Sequence, residues 1–117
     1  MQAIFESLSA YAPLDIEENN EELVVVAEVP GVKKEDVKVS LEDGVLSIGG
    51  ERKPNALAGN ARGLVREHRL GRFHRTVRLP YAIDAAAVSA ELSNGLLRIV
   101  LPKAEEARPK QIDVKVK

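Results

Sequence analysis

The sequence predicts an all-β fold, an antiparallel β-sandwich, in one domain over residues 13–102. Three observations predict it. Short apolar runs alternate with polar residues at period two, the side-chain period of a half-buried strand. Asn94-Gly95 and Asp43-Gly44 separate such runs, and each pair supplies the two positive-φ residues that a tight hairpin needs. Turn signals recur at short, regular spacing, which is typical of a sandwich.

The predicted strands follow one another along this domain. An alternating run at 14–17 and a nearly continuous apolar run at 23–29 come first. Residues 37–42 and 45–51 form a hairpin, in which Gly49-Gly50 marks a bulge or a close backbone approach. A strand over 73–79 precedes one helical turn, with Asp84 as its N-cap. The Asn94-Gly95 hairpin over 90–102 completes the sandwich.

Two segments precede or interrupt the sandwich. Residues 1–12 form a short N-terminal arm with an apolar stripe at helical spacing, made of Ile4, Phe5, Leu8 and Tyr11. A frayed terminus and an arm that docks on another chain are both open for it. Residues 52–63 lack periodicity over a length that is unusual in compact domains, and a short strand is a candidate within 64–69.

A C-terminal extension over residues 103–117 follows the last strand. Residues 103–110 are charged and contain Pro109, which indicates a solvated linker. Ile112, Val114 and Val116 then alternate with polar residues. Because this pattern follows a linker, it has no local partner and needs the edge of a sheet on which to dock.

Composition excludes several classes of function. Seventeen basic and eighteen acidic residues nearly cancel, so no net field favours nucleic acid or an acidic membrane. No apolar run approaches the roughly 20 residues of a membrane helix, and Glu6 lies where a signal peptide carries basic residues. The absence of cysteine excludes disulfides and thiolate metal sites. We therefore expect a cytoplasmic protein that binds neither nucleic acid nor membrane.

The sequence contains no pattern for catalysis. His68 and His74 are the only imidazoles, and neither has a carboxylate at metal-ligand spacing. No nucleophile elbow, phosphate-binding glycine loop or zinc helix motif occurs. The basic stretch over 62–78 is interrupted by Glu67 and holds few aromatic residues. We expect no catalytic residue, cofactor or metal, and we expect a function in binding or assembly.

Several motifs in a fixed order carry a family resemblance. The hairpin Ala90-Glu91-Leu92-Ser93-Asn94-Gly95-Leu96-Leu97 is similar to an Ala-x-x-x-Asn-Gly-Val/Leu-Leu signature. Supporting motifs are Val29-Pro30-Gly31-Val32, Gly44-Val45-Leu46-Ser47-Ile48, Phe73-His74-Arg75-Thr76-Val77-Arg78-Leu79-Pro80 and the tail's Ile112-Asp113-Val114. Through them the chain resembles the small heat-shock proteins (the HSP20 family) and their α-crystallin domain. The loop around residues 64–67 resembles the bacterial and plant type, in which this strand is exchanged between protomers.

The resemblance implies an immunoglobulin-like sandwich with flexible extensions at both ends. It implies an ATP-independent chaperone, a holdase, that binds partly unfolded proteins and prevents their aggregation. The partners it implies are a second copy in a homodimer, further copies in a higher homo-oligomer, and unfolded client proteins. One departure is that the family usually carries a longer, aromatic-rich arm before the domain than residues 1–12.

Three sets of contact residues are predicted. In the tail, Ile112 and Val114 lie about 7 Å apart on one face and can enter a groove as an added strand; the predicted groove is lined by Val37, Val39, Leu41, Leu97, Ile99 and Leu101. The dimer interface is predicted to hold Leu64, Val65, Arg66, Glu67 and Arg75, with Arg75 in an ion pair with an acidic residue. The client-binding arm is predicted to use Ile4, Phe5, Leu8 and Tyr11.

Two other functions stay open on the sequence alone. One is a co-chaperone or adaptor with a related sandwich, which binds a folded chaperone. Such adaptors end in an acidic, disordered tail, whereas this tail is basic and alternating. The other is a sandwich enzyme or a carbohydrate-binding module, which the scarcity of aromatic residues and of convergent carboxylates disfavours.

Overall fold

Two antiparallel sheets form the fold in the computed structural model, which describes residues 4–9 (as backbone), 12–54, 59–68, 70–110 and 112–116. The strands are β1 Ile4–Ser9, β2 Leu14–Glu18, β3 Glu22–Glu28, β4 Val37–Glu42, β5 Val45–Arg52, β6 Gly71–Arg78, β7 Ser89–Ser93 and β8 Leu96–Pro102. Single 3-10 turns lie at Lys34–Asp36, Ala85–Ala87 and Glu105–Ala107. The sheet orders are β1-β6-β5-β4 and β2-β3-β8-β7. The predicted all-β antiparallel sandwich is confirmed.

The core lies between the two sheets. Strands β3 and β8 pair over their full length and bury alternate side chains, as the period-two pattern predicts. Facing them are buried residues of β5 and β6. The core residues with the largest fully buried side chains are Phe73, Leu23, Leu46, Ile48, Ile99, Leu101, Val25, Val29 and Val77.

Both predicted hairpin turns are confirmed. Asp43 and Gly44 have φ of 51° and 76°, and Asn94 and Gly95 have 53° and 76°. Two consecutive positive φ values define the type I′ turn. Each turn is also tied to a strand end, because the Gly44 carbonyl accepts from the Leu79 amide and the Gly95 carbonyl from the Val29 amide, both at 2.8 Å.

Gly50 of β5 lies in a tight space within its own sheet, beside Phe73 of the paired strand β6. A Cβ atom there would lie 2.7 Å from the Asp36 carbonyl oxygen and 2.7 Å from Cζ of Phe73. Gly50 therefore leaves room for the Phe73 ring, and the close backbone approach predicted for Gly49-Gly50 is found at the second glycine.

Two local predictions are wrong. The segment Ile4–Ser9, with its helical spacing, is strand β1 and pairs with β6 through a register shift between Ser7 and Ser9. An isolated helix of this length is marginal in water, whereas the edge of β6 offers main-chain partners at once. Asp84 does precede a 3-10 turn, but its side chain makes no capping hydrogen bond with any described residue.

Candidate binding edges and the C-terminal tail

Strands β4 and β7 are outer strands of their sheets among the described residues, and they lie on the same side of the sandwich. On the opposite side, Nη1 of Arg75 in β6 donates to the Ala12 carbonyl at 2.6 Å, and Ala12 leads into β2. This contact brings β2 beside β1 and β6, so the remaining edges, β4 and β7, lie together. Half-buried apolar side chains pack against the core here: Val37, Val39 and Leu41 in β4, Leu92 in β7, and Val88 directly before β7. We call the space between these edges the β4–β7 cleft.

The prediction that β8 forms one wall of the groove is wrong. Strand β8 lies between β3 and β7 and is hydrogen-bonded on both sides. Its inward residues belong to the core, with exposures of 3% for Leu97, 0% for Ile99 and 0% for Leu101. Strand β7 pairs with β8 and takes the outer position in this sheet. The β4 residues Val37, Val39 and Leu41 do lie on an edge strand.

The tail residues are fully available for contact. Ile112, Val114 and Val116 are 83%, 90% and 96% exposed. Residues 112–116 form no strand with any other residue that the structure describes. An apolar alternation without a sheet beside it carries the pattern of a strand and lacks its partner.

The segment predicted to be exchanged between protomers is irregular in the single chain. Residues 64–68 form no strand among the described residues, and Leu64 and Val65 are 85% and 76% exposed. Arg66 and Glu67 are exposed as well. A strand requires a hydrogen-bonded neighbour, and no described strand pairs with this segment. Its role at a dimer interface stays a prediction.

Arg75 lies on the same face of β6 as the core residues Phe73 and Val77. Its neighbours Phe73 and Val77 are buried and Arg75 itself is half-buried. Within the chain its guanidinium donates to the Ala12 carbonyl, as described above. The ion pair expected with an acidic residue at a subunit interface stays a prediction.

The predicted client-binding arm is described only in part. Ile4, Phe5 and Leu8 lie on strand β1, whose backbone pairs with β6. Tyr11 lies outside the described residues. Binding of clients by these four residues stays a prediction.

A cluster that sequence reasoning missed lies where the tail leaves the domain. Lys103, assigned by its charged surroundings to a solvated linker, is only 4% exposed. Its Nζ lies 3.1 Å from Oε2 of Glu18 and 3.9 Å from the centre of the Tyr81 ring. The hydrogen bond from Lys103, with a second from Tyr81, lowers the pKa of Glu18. Glu18 in turn raises the pKa of the Tyr81 hydroxyl, with burial as a smaller cause.

No sequence signal could have found this cluster, because 85 positions separate Glu18 from Lys103. The prediction of a solvated linker is therefore wrong for its first residue. Elsewhere in the described part of the chain, no three His, Asp or Glu side chains come together in a way that could hold a metal ion. None of the helices among the described residues has the length and apolar character needed to cross a membrane.

The model of the Hsp20/alpha crystallin family matches residues 15–117. The chain belongs to this family. It is 44% identical over 107 residues to heat shock protein 16 of Schizosaccharomyces pombe, covering 87% of this chain and 73% of that protein. It is 39% identical over 111 residues to a 17.3 kDa class II heat shock protein of Solanum peruvianum, covering 92% and 72%.

The fold of this family is also the fold of the chain. A small heat-shock protein from Xylella fastidiosa has a crystal structure that superposes with a TM-score of 0.73 at 34% identity, covering 92% of this chain and 98% of that one. Members of the small heat-shock family are chaperones and not enzymes. The predicted resemblance and the predicted chaperone class are confirmed.

Proposed function

We propose that this small heat-shock protein is an ATP-independent holdase that binds partly unfolded proteins in the cytoplasm and keeps them from aggregating. It assembles through strand-exchanged dimers, and tails that dock in β4–β7 clefts join these dimers into a larger homo-oligomer. Both contacts use apolar side chains that are exposed, or a strand that pairs on one side only, among the described residues.

One observation carries the proposal. The apolar side chains of the tail are at least 83% exposed, while an outer strand with its own apolar row, β4, pairs with a described strand on one side only. An uncovered edge recruits any extended chain through main-chain hydrogen bonds. A tail strand satisfies that edge when docked, and a client segment satisfies it when the tail is absent.

The geometry of the tail suits this role. Ile112 and Val114 are two residues apart, which places their side chains about 7 Å apart on one face of a strand. The side chains of β4 that point toward the cleft repeat at the same period. Added main-chain hydrogen bonds supply affinity, and alternate side chains in successive pockets supply register.

The holdase proposal is tested by light scattering from a heat- or reductant-denatured client without ATP. We expect the full chain to suppress scattering at a stoichiometric ratio. Scattering that is unchanged would contradict the holdase and favour an adaptor that binds folded chaperones. Pull-down of a native chaperone by the same preparation then identifies that alternative.

The docking proposal is tested by substituting the two apolar residues of the tail. Ile112→Ser with Val114→Ser removes both side chains that would enter the cleft, so the particle mass in light scattering should fall toward that of a dimer. The matched control is Asp113→Ala with Lys115→Ala, which changes the opposite face of the same strand and should keep the parent mass. Equal masses for parent and serine variant would contradict tail docking.

The exchanged segment is tested in the serine background, where only dimers are expected. Leu64→Ser with Val65→Ser removes the apolar pair of the exposed loop, and the dimer should dissociate at concentrations at which its parent stays dimeric. Arg62→Ala is the control, because it changes an exposed residue of the same loop outside the proposed strand. A dimer that persists after Leu64→Ser and Val65→Ser would contradict strand exchange through residues 64–67.

A further inference from the structure

The tail does not leave the domain at the end of β8. After Pro102 the chain continues beside two neighbouring segments: the Lys103 amide donates to the Glu21 carbonyl and the Ala104 amide to the Ala82 carbonyl, both at 2.8 Å. A 3-10 turn over Glu105–Ala107 follows. Residues 103–107 are therefore folded onto the end of the sandwich.

Side chains fasten this short segment. The buried Lys103 ammonium lies between the Glu18 carboxylate, at 3.1 Å, and the face of the Tyr81 ring, at 3.9 Å from its centre. Removing an ammonium from water is costly unless an opposite charge or a π face compensates, and here both do. Beyond the turn, Nε of Arg108 reaches back to donate to the Lys103 carbonyl at 2.9 Å. The backbone from 103 to 108 is thereby closed into a compact hook.

This hook shortens the free tail. From Arg108 to Ile112 there are four residue steps, which span at most about 14 Å when extended. From Pro102 to Ile112 there are ten, which would span about 35 Å. The difference decides which clefts the tail can reach, because a docked strand cannot be further from its anchor than the intervening chain allows.

We propose that Lys103, Glu18, Tyr81 and Arg108 form a clamp that fixes where the tail leaves the domain and limits docking to clefts within about 14 Å of Arg108. The four residues are positioning residues for the Ile112–Val114 pair. The consequence for assembly rests on the proposed tail docking, whereas the clamp itself does not.

The clamp is tested first by amide hydrogen exchange in Lys103→Met, which keeps the length of the apolar stem and removes the charge. The amides of Ala104, Ala107 and Arg108 should exchange about tenfold faster or more, since one charge-assisted interaction is lost. The control is Lys115→Met, an exposed lysine beyond the clamp. Arg108→Met opens the outer fastening alone and gives the same test should Lys103→Met fold poorly.

A distance measurement separates a clamp from a general loss of stability. The chain lacks cysteine, so spin labels can be placed at Lys110→Cys and Glu91→Cys without other changes. Residue 110 is two positions beyond the clamp, so its distance to β7 should be narrowly distributed in the parent and broad in Lys103→Met. Unchanged distances and unchanged exchange in both clamp variants would overturn the clamp.

Both measurements are made in the Ile112→Ser/Val114→Ser background, so they hold whether or not tails dock. The assembly is then compared with the tail intact, by native mass spectrometry. An open clamp should broaden the distribution of particle masses, because the longer tail reaches clefts at other distances. If the clamp is open and the distribution of particle masses is still that of the parent, the proposed limit on how far the tail can reach is overturned. Failure of docking itself is recognised separately, because the Ile112→Ser/Val114→Ser variant would then keep the particle mass of the parent.

Discussion

The buried row of β8 and the exposed row of the tail have the same sequence pattern and opposite surroundings. Three apolar residues at every second position make up each row: Leu97, Ile99 and Leu101 in β8, and Ile112, Val114 and Val116 in the tail. The first three are at most 3% exposed, the last three at least 83%. What differs is the presence of neighbours, since β8 pairs with β3 and β7 while residues 112–116 pair with no described strand. Alternation thus specifies a face, and a partner decides whether that face is buried.

The largest expected effect is a difference in the free energy of unfolding between a substitution in the β8 row and one in the tail row. Ile99→Ala leaves a cavity in the core and should lower the free energy of unfolding by about 2–5 kcal/mol. Ile112→Ala changes an exposed side chain and should leave it within about 0.5 kcal/mol. Urea denaturation at one low protein concentration measures both. Similar losses for the two variants would contradict the assignment of one row to the core and of the other to solvent.

An intermediate effect should report how tightly the core is packed around Phe73. Gly50→Ala would place a methyl group 2.7 Å from Cζ of Phe73, so a ring of the core must move. We expect a loss of about 1–3 kcal/mol in the free energy of unfolding. Gly49→Ala is the matched control on the other face of β5, where a Cβ would meet Nδ1 of His74 at 3.4 Å, an ordinary contact. Equal thermal midpoints for the two variants would show that the core near Phe73 is looser than the structure indicates.

The smallest effect should lie at the junction between the rows, at Lys103 and Glu18. Because Lys103 and Tyr81 lower the pKa of Glu18 in the folded chain, the interaction stabilises the fold above the ordinary carboxyl pKa. That contribution is lost as the pH falls through the lowered value and the carboxylate takes up a proton. The stability difference between the parent and Glu18→Gln should therefore be present at neutral pH and vanish in acid. Glu17→Gln, at the neighbouring exposed position, is the control for the loss of one carboxylate from β2.

Local chemistry made most of the sandwich predictable. Asp43-Gly44 and Asn94-Gly95 each require two positive φ values, so their turn type follows from residue identity alone. The period-two runs predicted the strand bounds to within one or two residues, and they indicated which side chains point inward. The close approach at Gly50 was also visible, because a glycine pair inside a strand leaves a side of it uncovered.

The features that could not be predicted depend on contacts between distant segments. The sequence of β8 is compatible with a position at the edge of a sheet and with one in its centre. Only the pairing of β7 with β8 excludes β8 from the cleft. Lys103 looks like any charged linker residue until β2 brings Glu18 to it. Likewise the choice between helix and strand for Ile4–Ser9 is made by the edge of β6, which lies some seventy positions away.

The central position of β8 also has a mechanical consequence. A pull on a docked tail reaches the domain through residues 103–108 and then acts along β8, whose seven residues pair with β3 and whose first five pair with β7. The pull lies along the strand axis and across its hydrogen bonds, so many bonds are strained together and none opens singly. If tails join neighbouring domains as proposed, the domains can exert force on one another, and the pairing of β8 on both sides transmits that force without releasing the strand.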